Sequence, residues 1–303
     1  SLFAVLALVS FTSLLRAQFS EGNWIVTGVE IVENKTILLN GNLTIKAGGS
    51  LMLRNVTLRM NIEQNGQYGI SVEEAGSLYI YDSNISSATK FRFFFSVVGG
   101  SFVMKNSELH DAGWGGREDW RGEPRKRGLY VQADDAMIDG NIISDSLGVF
   151  LCLSRNSSVA NNRLITDYGI TITHNVPPTR PIPRDNSILN NTIQGALENG
   201  ITIGAGNSNI VANNTILDAM VGIMLAESWD NIVSGNHINP SHHPDPWGGI
   251  VLWNWCGNNT IANNTIKTEK PQGIIDSIEV VRSVNNRIEG NVVENLIGGI
   301  TLS

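Results

Sequence analysis

The first group of residues whose types could do chemistry combines tryptophans with an acidic side chain. Trp229 and Asp230 follow one glycine-led segment of the chain, and Trp253 and Trp255 follow the next. Sugar rings stack on the flat faces of indoles, and nearby carboxylates hydrogen-bond their hydroxyl groups. We therefore predict a carbohydrate-binding surface at Trp229, Asp230, Trp253 and Trp255, the alternative being that these indoles only shield the flank of the protein. The same corner carries two further polar residues, His174 and Glu227.

A second group could act as acids and bases. Asp218, His242, Asp245 and Lys267 occupy corresponding turns of three adjacent segments. Proton abstraction from a uronic acid needs a base together with a cation or metal that neutralises the carboxylate. If the protein is an enzyme, these four residues are the catalytic candidates. The adjacent His242 and His243 point apart on an extended chain, so no metal site is predicted there, although the acidic turn is compatible with Ca²⁺.

Both groups lie within a sequence repeat that must position them. A glycine followed by an apolar-x-apolar triplet recurs with a period of about 22 residues. Its copies open at Gly128, Gly148, Gly169, Gly200, Gly222, Gly249 and Gly299, with a degraded copy at Gly273. Alternating apolar residues indicate half-buried strands, and the Gly and Asn clusters between them indicate turns. Because one such coil cannot bury its own apolar face, the repeat predicts stacked coils.

The coil that opens at Gly200 has apolar residues that are predicted to point inward, namely Ile201, Ile203, Ile210 and Ile216. A second mark, Asn followed two residues later by Ile, Leu or Val, recurs at Asn141, Asn162, Asn191, Asn214, Asn236, Asn264 and Asn291. Stacked asparagines can satisfy backbone and side chain together. We predict such a ladder from Asn162 to Asn291.

The amino-terminal part of the chain repeats a different frame. Gly-Ser-(Leu/Phe)-x-(Leu/Ile/Met)-x-(Asn/Asp) stands at Gly49, Gly76 and Gly100. Each copy is followed by a short apolar return, which again indicates one coil. The stacked coils are therefore predicted to begin near residue 35.

These repeats resemble the right-handed parallel β-helix repeat proteins, including the periplasmic NosD-like branch and the wider pectin-lyase-like fold. The resemblance covers about nine tenths of the chain. It implies an all-β, right-handed parallel β-helix of roughly 11–12 coils. Function does not follow from it, because this fold hosts lyases, hydrolases, epimerases, adhesins and scaffolds. At Asp245-Pro246 the chain lacks the Asp-Pro-His-Asp string of alginate epimerases with this fold.

The expected domain organisation has three parts. Residues 1–20 are expected to be a signal peptide or a hydrophobic amino-terminal segment, because residues 1–17 are almost entirely apolar. Residues 21–34 are expected to cap the open end, and residues 35–303 to form the β-helix. The β-helix is expected to continue beyond residue 303.

The chain carries candidate glycosylation sites at Asn34, Asn42, Asn55, Asn84, Asn156, Asn190, Asn213, Asn258 and Asn263. Arg125, Lys126 and Arg127 are expected in a solvated loop that neutralises an acidic rod, the alternative being contact with an acidic glycan. Cys152 and Cys256 are expected to be free thiols, because four coils separate them by about 19 Å.

Charge and composition limit the partners. A net charge of −7 argues against nucleic acid, which requires a basic face. We expect a secreted or cell-surface protein that is structural or binds carbohydrate without catalysis, with a polysaccharide or cell-envelope glycan as partner. One alternative is a polysaccharide lyase or epimerase that acts on an acidic glycan. The other is an extracellular filament subunit that associates head to tail.

Overall fold

The computed structural model describes residues 18–20, 22–115, 126–174, 182–269, 276–296 and 298–303. All regular elements in these ranges are β-strands, and they form three sheets. Every pairing between named strands is parallel and joins one coil to the next, so the chain winds into a parallel β-helix. Within the same ranges, no helix has the length and apolar character needed to cross a bilayer.

The first sheet has 12 strands. They are β1 (Gln18–Ser20), β4 (Thr36–Leu39), β7 (Thr57–Met60), β10 (Asn84–Ser87), β13 (Glu108–His110), β16 (Ile142–Ser146), β19 (Arg163–Thr166), β22 (Thr192–Gln194), β25 (Thr215–Leu217), β28 (His237–Asn239), β31 (Thr265–Lys267) and β34 (Val292–Glu294).

The second sheet also has 12 strands, and the glycine-led triplets form its later members. They are β2 (Trp24–Val26), β5 (Leu43–Ile45), β8 (Gly69–Val72), β11 (Phe94–Val98), β14 (Leu129–Gln132), β17 (Val149–Cys152), β20 (Ile170–Thr173), β23 (Asn199–Gly204), β26 (Val221–Ala226), β29 (Gly248–Trp253), β32 (Asp276–Val281) and β35 (Ile300–Leu302).

The third sheet has 11 strands. They are β3 (Val29–Glu33), β6 (Ser50–Arg54), β9 (Ser77–Tyr81), β12 (Ser101–Lys105), β15 (Met137–Asp139), β18 (Ser158–Ala160), β21 (Ser187–Leu189), β24 (Ile210–Ala212), β27 (Ile232–Ser234), β30 (Thr260–Ala262) and β33 (Arg287–Glu289). Residues 21–34, which were expected to be a cap, supply β2 and β3, and these pair with β5 and β6 in the same way as the other coils. Residues 1–17 lie outside the described ranges.

The core is the inside of the helix, where equivalent apolar residues of successive coils stack. Ile201, Ile203 and Ile216 are fully buried, as predicted. Ile210 is 42% exposed, so the prediction that it points inward was wrong. The preceding Asn209 is buried, and strand alternation then turns Ile210 outward and Val211 inward.

The predicted asparagine ladder is present between the third and first sheets. The Nδ2 of Asn191 donates to the Oδ1 of Asn214 at 3.0 Å, and the Nδ2 of Asn214 donates to the Oδ1 of Asn236 at 2.9 Å. The backbone N–H of Asn191 donates to the same Oδ1 of Asn214 at 2.9 Å. The ladder therefore satisfies the buried polar groups of the corner, as buried polar groups require.

A second asparagine ladder, which the sequence analysis did not identify, lies between the second and third sheets. Its members are linked by hydrogen bonds of 2.9–3.0 Å between side-chain amides, and they are Asn186, Asn209, Asn231, Asn259 and Asn286. Each member stands immediately before a strand of the third sheet. From Asn186 onward, the two ladders therefore stabilise two of the three corners of each coil.

Candidate functional site

A groove lies on the outer face of the second sheet. It runs across β17, β20, β23, β26 and β29 and has a volume of about 620 Å³. Its floor consists of side chains that alternate with the core residues and therefore point outward. In one row, Thr171, Thr202 and Met224 are direct neighbours on adjacent strands.

The groove exists because a second outward row changes in size along the rod. Thr173 pairs with Cys152, Gly204 pairs with Ala226, and Ala226 pairs with Trp253. Gly204 has no side chain and Ala226 only a methyl group, so they leave a depression. The Trp253 indole projects outward and closes one end of it.

Aromatic pairs stand at both ends of the groove. Trp247 and Trp253 meet edge to face, with ring centroids 5.5 Å apart and an angle of 76° between their planes. At the other end, the Phe150 and Tyr168 centroids are 6.4 Å apart at 55°. Such indole and phenol faces are suited to sugar rings, which present C–H groups on one face and hydroxyls at their edges.

Trp247 is held in place from behind the groove. Its backbone N–H donates to the Met220 carbonyl at 2.7 Å. Burial raises the pKa of the neighbouring Glu279 above its usual 4.5, and the nearby Asp276 carboxylate raises it further, while the Trp247 side chain beside it lowers it.

Two buried polar atoms of the lining residues between the aromatic ends have no protein partner. The Nδ1 of His174 and the Oδ1 of Asn199 are buried atoms with no hydrogen-bond partner in the described structure. The Asn199 Nδ2 donates to the Thr202 Oγ1 at 3.0 Å, which fixes the direction of the amide. Buried polar atoms of native proteins are rarely left unsatisfied, so these two sites are suited to a ligand or to water.

The structure separates the residues of the predicted carbohydrate surface. Trp253 lines the groove, together with His174 and Glu227 from the same predicted corner. Trp229 instead lies against the backbone of Gly257 in the next coil, where an added Cβ would clash with its ring. The neighbouring Asp230 is exposed, and Trp255 is 67% exposed. The aromatic pairs of the described residues do not include a contact between the Trp229 and Trp255 rings.

The catalytic candidates form two separate ion pairs at the corner that follows the first sheet. The His242 Nδ1 lies 3.1 Å from the Asp218 Oδ1, whose carboxylate also accepts the His242 backbone N–H at 3.0 Å. The Lys267 Nζ lies 2.9 Å from the Glu294 carboxylate of the following coil. The Asp245 backbone N–H donates to the His243 Nδ1 at 3.1 Å. None of Asp218, His242, Asp245 and Lys267 is among the described residues that line the groove.

Several groove residues were not predicted from the sequence, namely Phe150, Tyr168, Asn199, Met224 and Trp247. A usable signal existed for Met224, because the middle residue of each glycine-led triplet points outward. The same rule places Thr171 and Thr202 in the outward row of the groove.

The basic residue Arg127 is buried, so the expectation of a solvated loop was wrong at this position. It is 3% exposed, its guanidinium lies 5.6 Å from the Tyr130 ring centroid, and its Nη1 donates to the Cys152 Sγ at 3.2 Å. A guanidinium can be buried in this way because it is weakly hydrated and packs against aromatic rings. Arg125 lies outside the described ranges. Both cysteines are free, as expected.

Seven of the candidate glycosylation sites have exposed asparagines in the structure: Asn34, Asn55, Asn156, Asn190, Asn213, Asn258 and Asn263. Asn42 and Asn84 are half-buried, and the Asn84 Nδ2 donates to the Glu108 carboxylate at 2.6 Å. Glycosylation stays a prediction for all nine.

Comparison with known families adds one match. The model of the NosD family, described as a periplasmic copper-binding protein, matches residues 123–273. This range contains every strand that forms the groove. The periplasmic description agrees with the expected secreted or cell-surface location. No curated protein sequence matches the chain significantly.

Among the described residues, no three His, Cys, Asp or Glu side chains lie close enough together to hold a metal ion. Burial raises the pKa of Cys152 to about 11, so this sulfur stays a thiol beside the Arg127 cation. Copper binds the thiolate, which this environment disfavours.

Solved structures share the fold over most of the chain at low sequence identity. The A-module of the mannuronan C-5 epimerase AlgE6 of Azotobacter vinelandii is 12% identical with a TM-score of 0.54, over 95% of this chain and 90% of that one. A PL6 alginate lyase in complex with a trisaccharide is 13% identical with a TM-score of 0.55, over 92% and 79%. The periplasmic alginate epimerase AlgG is 14% identical with a TM-score of 0.52, over 91% and 78%. By its repeats and its fold, the chain is therefore a parallel β-helix repeat protein, and its residues 123–273 are similar to the NosD family.

Proposed function

We propose that the protein is an exported β-helix protein that binds a polysaccharide segment in the groove of the second sheet. One observation carries this proposal: an elongated groove has aromatic pairs at both ends and two unpartnered polar atoms, the His174 Nδ1 and the Asn199 Oδ1, between them. Carbohydrate sites combine such apolar faces with a few fixed polar groups.

The dimensions of the groove suit a chain rather than a single sugar. From β17 to β29 it crosses four strand spacings, which corresponds to about 19 Å. A glycan that lies along the rod would place rings against Trp253 at one end and Phe150 at the other. Its hydroxyl groups would reach the His174 and Asn199 atoms between them.

Two further observations support the proposal. The apolar residues 1–17 and the periplasmic description of the NosD family are consistent with export. The epimerase and lyase structures with the same fold are named for action on alginate or mannuronan, so this fold can present a polysaccharide site. The identity of the glycan does not follow from that likeness.

The proposal is tested by glycan-array binding and titration calorimetry with two sets of variants. Trp253→Ala alters the groove, and Trp229→Ala with Trp255→Ala alters the exposed corner that the sequence suggested. We expect loss of binding only in the first, with unchanged far-ultraviolet dichroism in all. Loss only in the corner variant would instead assign sugar binding to Trp229, Asp230 and Trp255, and absence of any glycan ligand would refute the groove proposal.

A lyase or epimerase remains a second candidate, and the His242–Asp218 pair is the observation that favours it. A carboxylate that orients an imidazole is a common general-base arrangement, and this pair is 3.1 Å apart. The cation needed for a uronate is less accessible, because Lys267 already pairs with Glu294. Incubation with acidic polysaccharides, with Asp218→Asn as the inactive control, tests it through the absorbance of unsaturated products and through proton exchange at C5.

A further inference from the structure

The outward-pointing side chains of the second sheet form a row that is covered at both ends of the groove. Phe150, Thr171, Thr202, Met224 and Val251 are direct neighbours on successive strands. They alternate with the core residues and so stand on the outside of the β-helix. Phe150 is nevertheless 3% exposed and Val251 0% exposed, whereas Thr202 and Met224 between them are partly exposed.

A second hydrophobic cluster, separate from the core, covers the row at the Phe150 end. Its buried members are Tyr130, Leu147, Phe150 and Cys152. Arg127 packs on this cluster, with its guanidinium 5.6 Å from the Tyr130 ring centroid and its Nη1 donating to the Cys152 Sγ. The outer face of β14 and β17 is therefore packed with side chains where the groove ends.

The tryptophan pair covers the row at the Val251 end. Trp247 precedes β29 and Trp253 is its last residue, yet their ring centroids are 5.5 Å apart. The rings must therefore meet above the outer face of β29, where Val251 points outward between them. The complete burial of Val251 agrees with this position of the rings.

The two covers limit the length of ligand that can lie along the rod. Phe150 and Val251 are four strand spacings apart, which corresponds to about 19 Å. The groove volume of about 620 Å³ lies within the range of roughly 300–1,000 Å³ found for pockets that enclose a drug-sized molecule. A few sugar rings fill such a space. An internal segment of a long glycan would have to bend away from the rod at both walls.

From this closure we propose that the groove binds the terminal segment of a polysaccharide and does not bind its internal segments. The proposal rests on the proposed function, since it names the part of the glycan that the same groove takes. In the complex, the last sugar rings lie between the aromatic walls. The rest of the chain leaves the groove on its solvent side.

The test counts binding sites per mass of polysaccharide by titration calorimetry. The probes are alginate, xylan, glucomannan, dextran and any other polysaccharide that the glycan array identifies, each intact and after partial acid hydrolysis. Hydrolysis that shortens the chains about tenfold creates about tenfold more ends in the same mass, so we expect about tenfold more protein bound per mass of a binding glycan. Binding to internal segments would leave this capacity unchanged or lower it.

Variants of the tryptophan wall locate the effect in the groove. Trp247→Ala opens the end at β29, so intact chains should bind along their length and the gain on hydrolysis should largely disappear. Trp247→Leu, which keeps an apolar cover on Val251, replaces it if dichroism shows that the alanine variant does not fold. Ile232→Ala, a change at an exposed apolar residue on the outer face of the third sheet, should keep the full gain.

Three outcomes would overturn the inference. A capacity that does not rise on hydrolysis, with binding lost in Trp253→Ala, would refute recognition of chain ends and leave the groove proposal standing. A full gain that persists in a folded Trp247 variant would show that this wall does not exclude internal segments. Failure of every probe to bind, with no ligand on the array, would overturn the inference and the proposed function together.

Discussion

Trp247 lies edge to face against Trp253, with ring centroids 5.5 Å apart, although the two residues stand at opposite ends of strand β29. Trp247 ends the insertion that precedes β29, and Trp253 is the last residue of β29. The insertion thus folds back over its own strand and forms one wall of the groove. The Glu279 side chain of the following coil lies beside Trp247.

The burial of Glu279 predicts a pH effect on stability. Burial and Asp276 raise the pKa of Glu279 above 4.5, so the folded protein binds this proton more tightly than the unfolded chain does. The contribution of Glu279 to stability is therefore fully present below about pH 4.5 and is lost as the pH rises through its folded pKa. Glu279→Gln, which stays neutral, should remove this part of the slope.

Melting temperatures of the wild type and Glu279→Gln, measured from pH 4 to pH 8, check this prediction. The difference between the two proteins should change with pH in favour of the variant as the pH rises. A constant difference across the range would contradict it.

The same substitution should destabilise the protein much more at the inner residue Ile203 than at the outer residue Ile210 of the same coil. Ile203→Asp buries an unpaired carboxylate in the core and should cost more than about 4 kcal/mol in the free energy of unfolding. Ile210→Asp changes a side chain that is 42% exposed and should cost less than about 1 kcal/mol. Denaturant titrations measure both, and similar losses for the two variants would contradict the inward and outward assignment.

The asparagine ladder should be a larger source of stability than the exposed asparagine beside it. Asn214→Ala removes the acceptor for both the backbone N–H and the Nδ2 of Asn191. Each orphaned buried group costs about 1–3 kcal/mol, so we expect a loss of at least about 2 kcal/mol.

The matched control for the ladder is Asn213→Gly. Asn213 is exposed at φ 57°, a conformation that glycine adopts without strain, so its replacement should be close to neutral. Thermal and denaturant unfolding of both variants provide the measurement. A neutral Asn214→Ala would show that the ladder does not stabilise the fold.

The two cysteines should be unreactive in the folded protein. Burial raises the pKa of Cys152 to about 11 and raises that of Cys256 above 9.0. Only the thiolate attacks a disulfide reagent. Ellman's reagent at pH 8 should therefore react slowly with the native protein and with two thiols per chain after denaturation. Rapid reaction of one thiol in the native state would show that its environment is open to solvent.

The sequence by itself determined that the chain forms stacked coils of β-strands. Strands follow from apolar alternation, and a 22-residue spacing requires neighbours because a single coil leaves its apolar face in water. The ladder from Asn162 to Asn291 was predictable for the same reason, since a recurring residue in a stacked repeat must meet its own copies. The second ladder was equally visible as an asparagine before each strand of the third sheet from β21 to β33.

Only the tertiary structure decided where the groove lies. Phe150, Thr173, Ala226 and Trp253 are distant in the sequence, and they become neighbours through the register of parallel strands. Outward positions do not need to be apolar, so no periodic signal marks a small side chain that leaves room or an indole that closes it. The path of an insertion is similarly absent from the repeat. The placement of Trp247 depends on the hydrogen bond of its backbone N–H to the Met220 carbonyl of the preceding coil, which forms only once the coils are stacked.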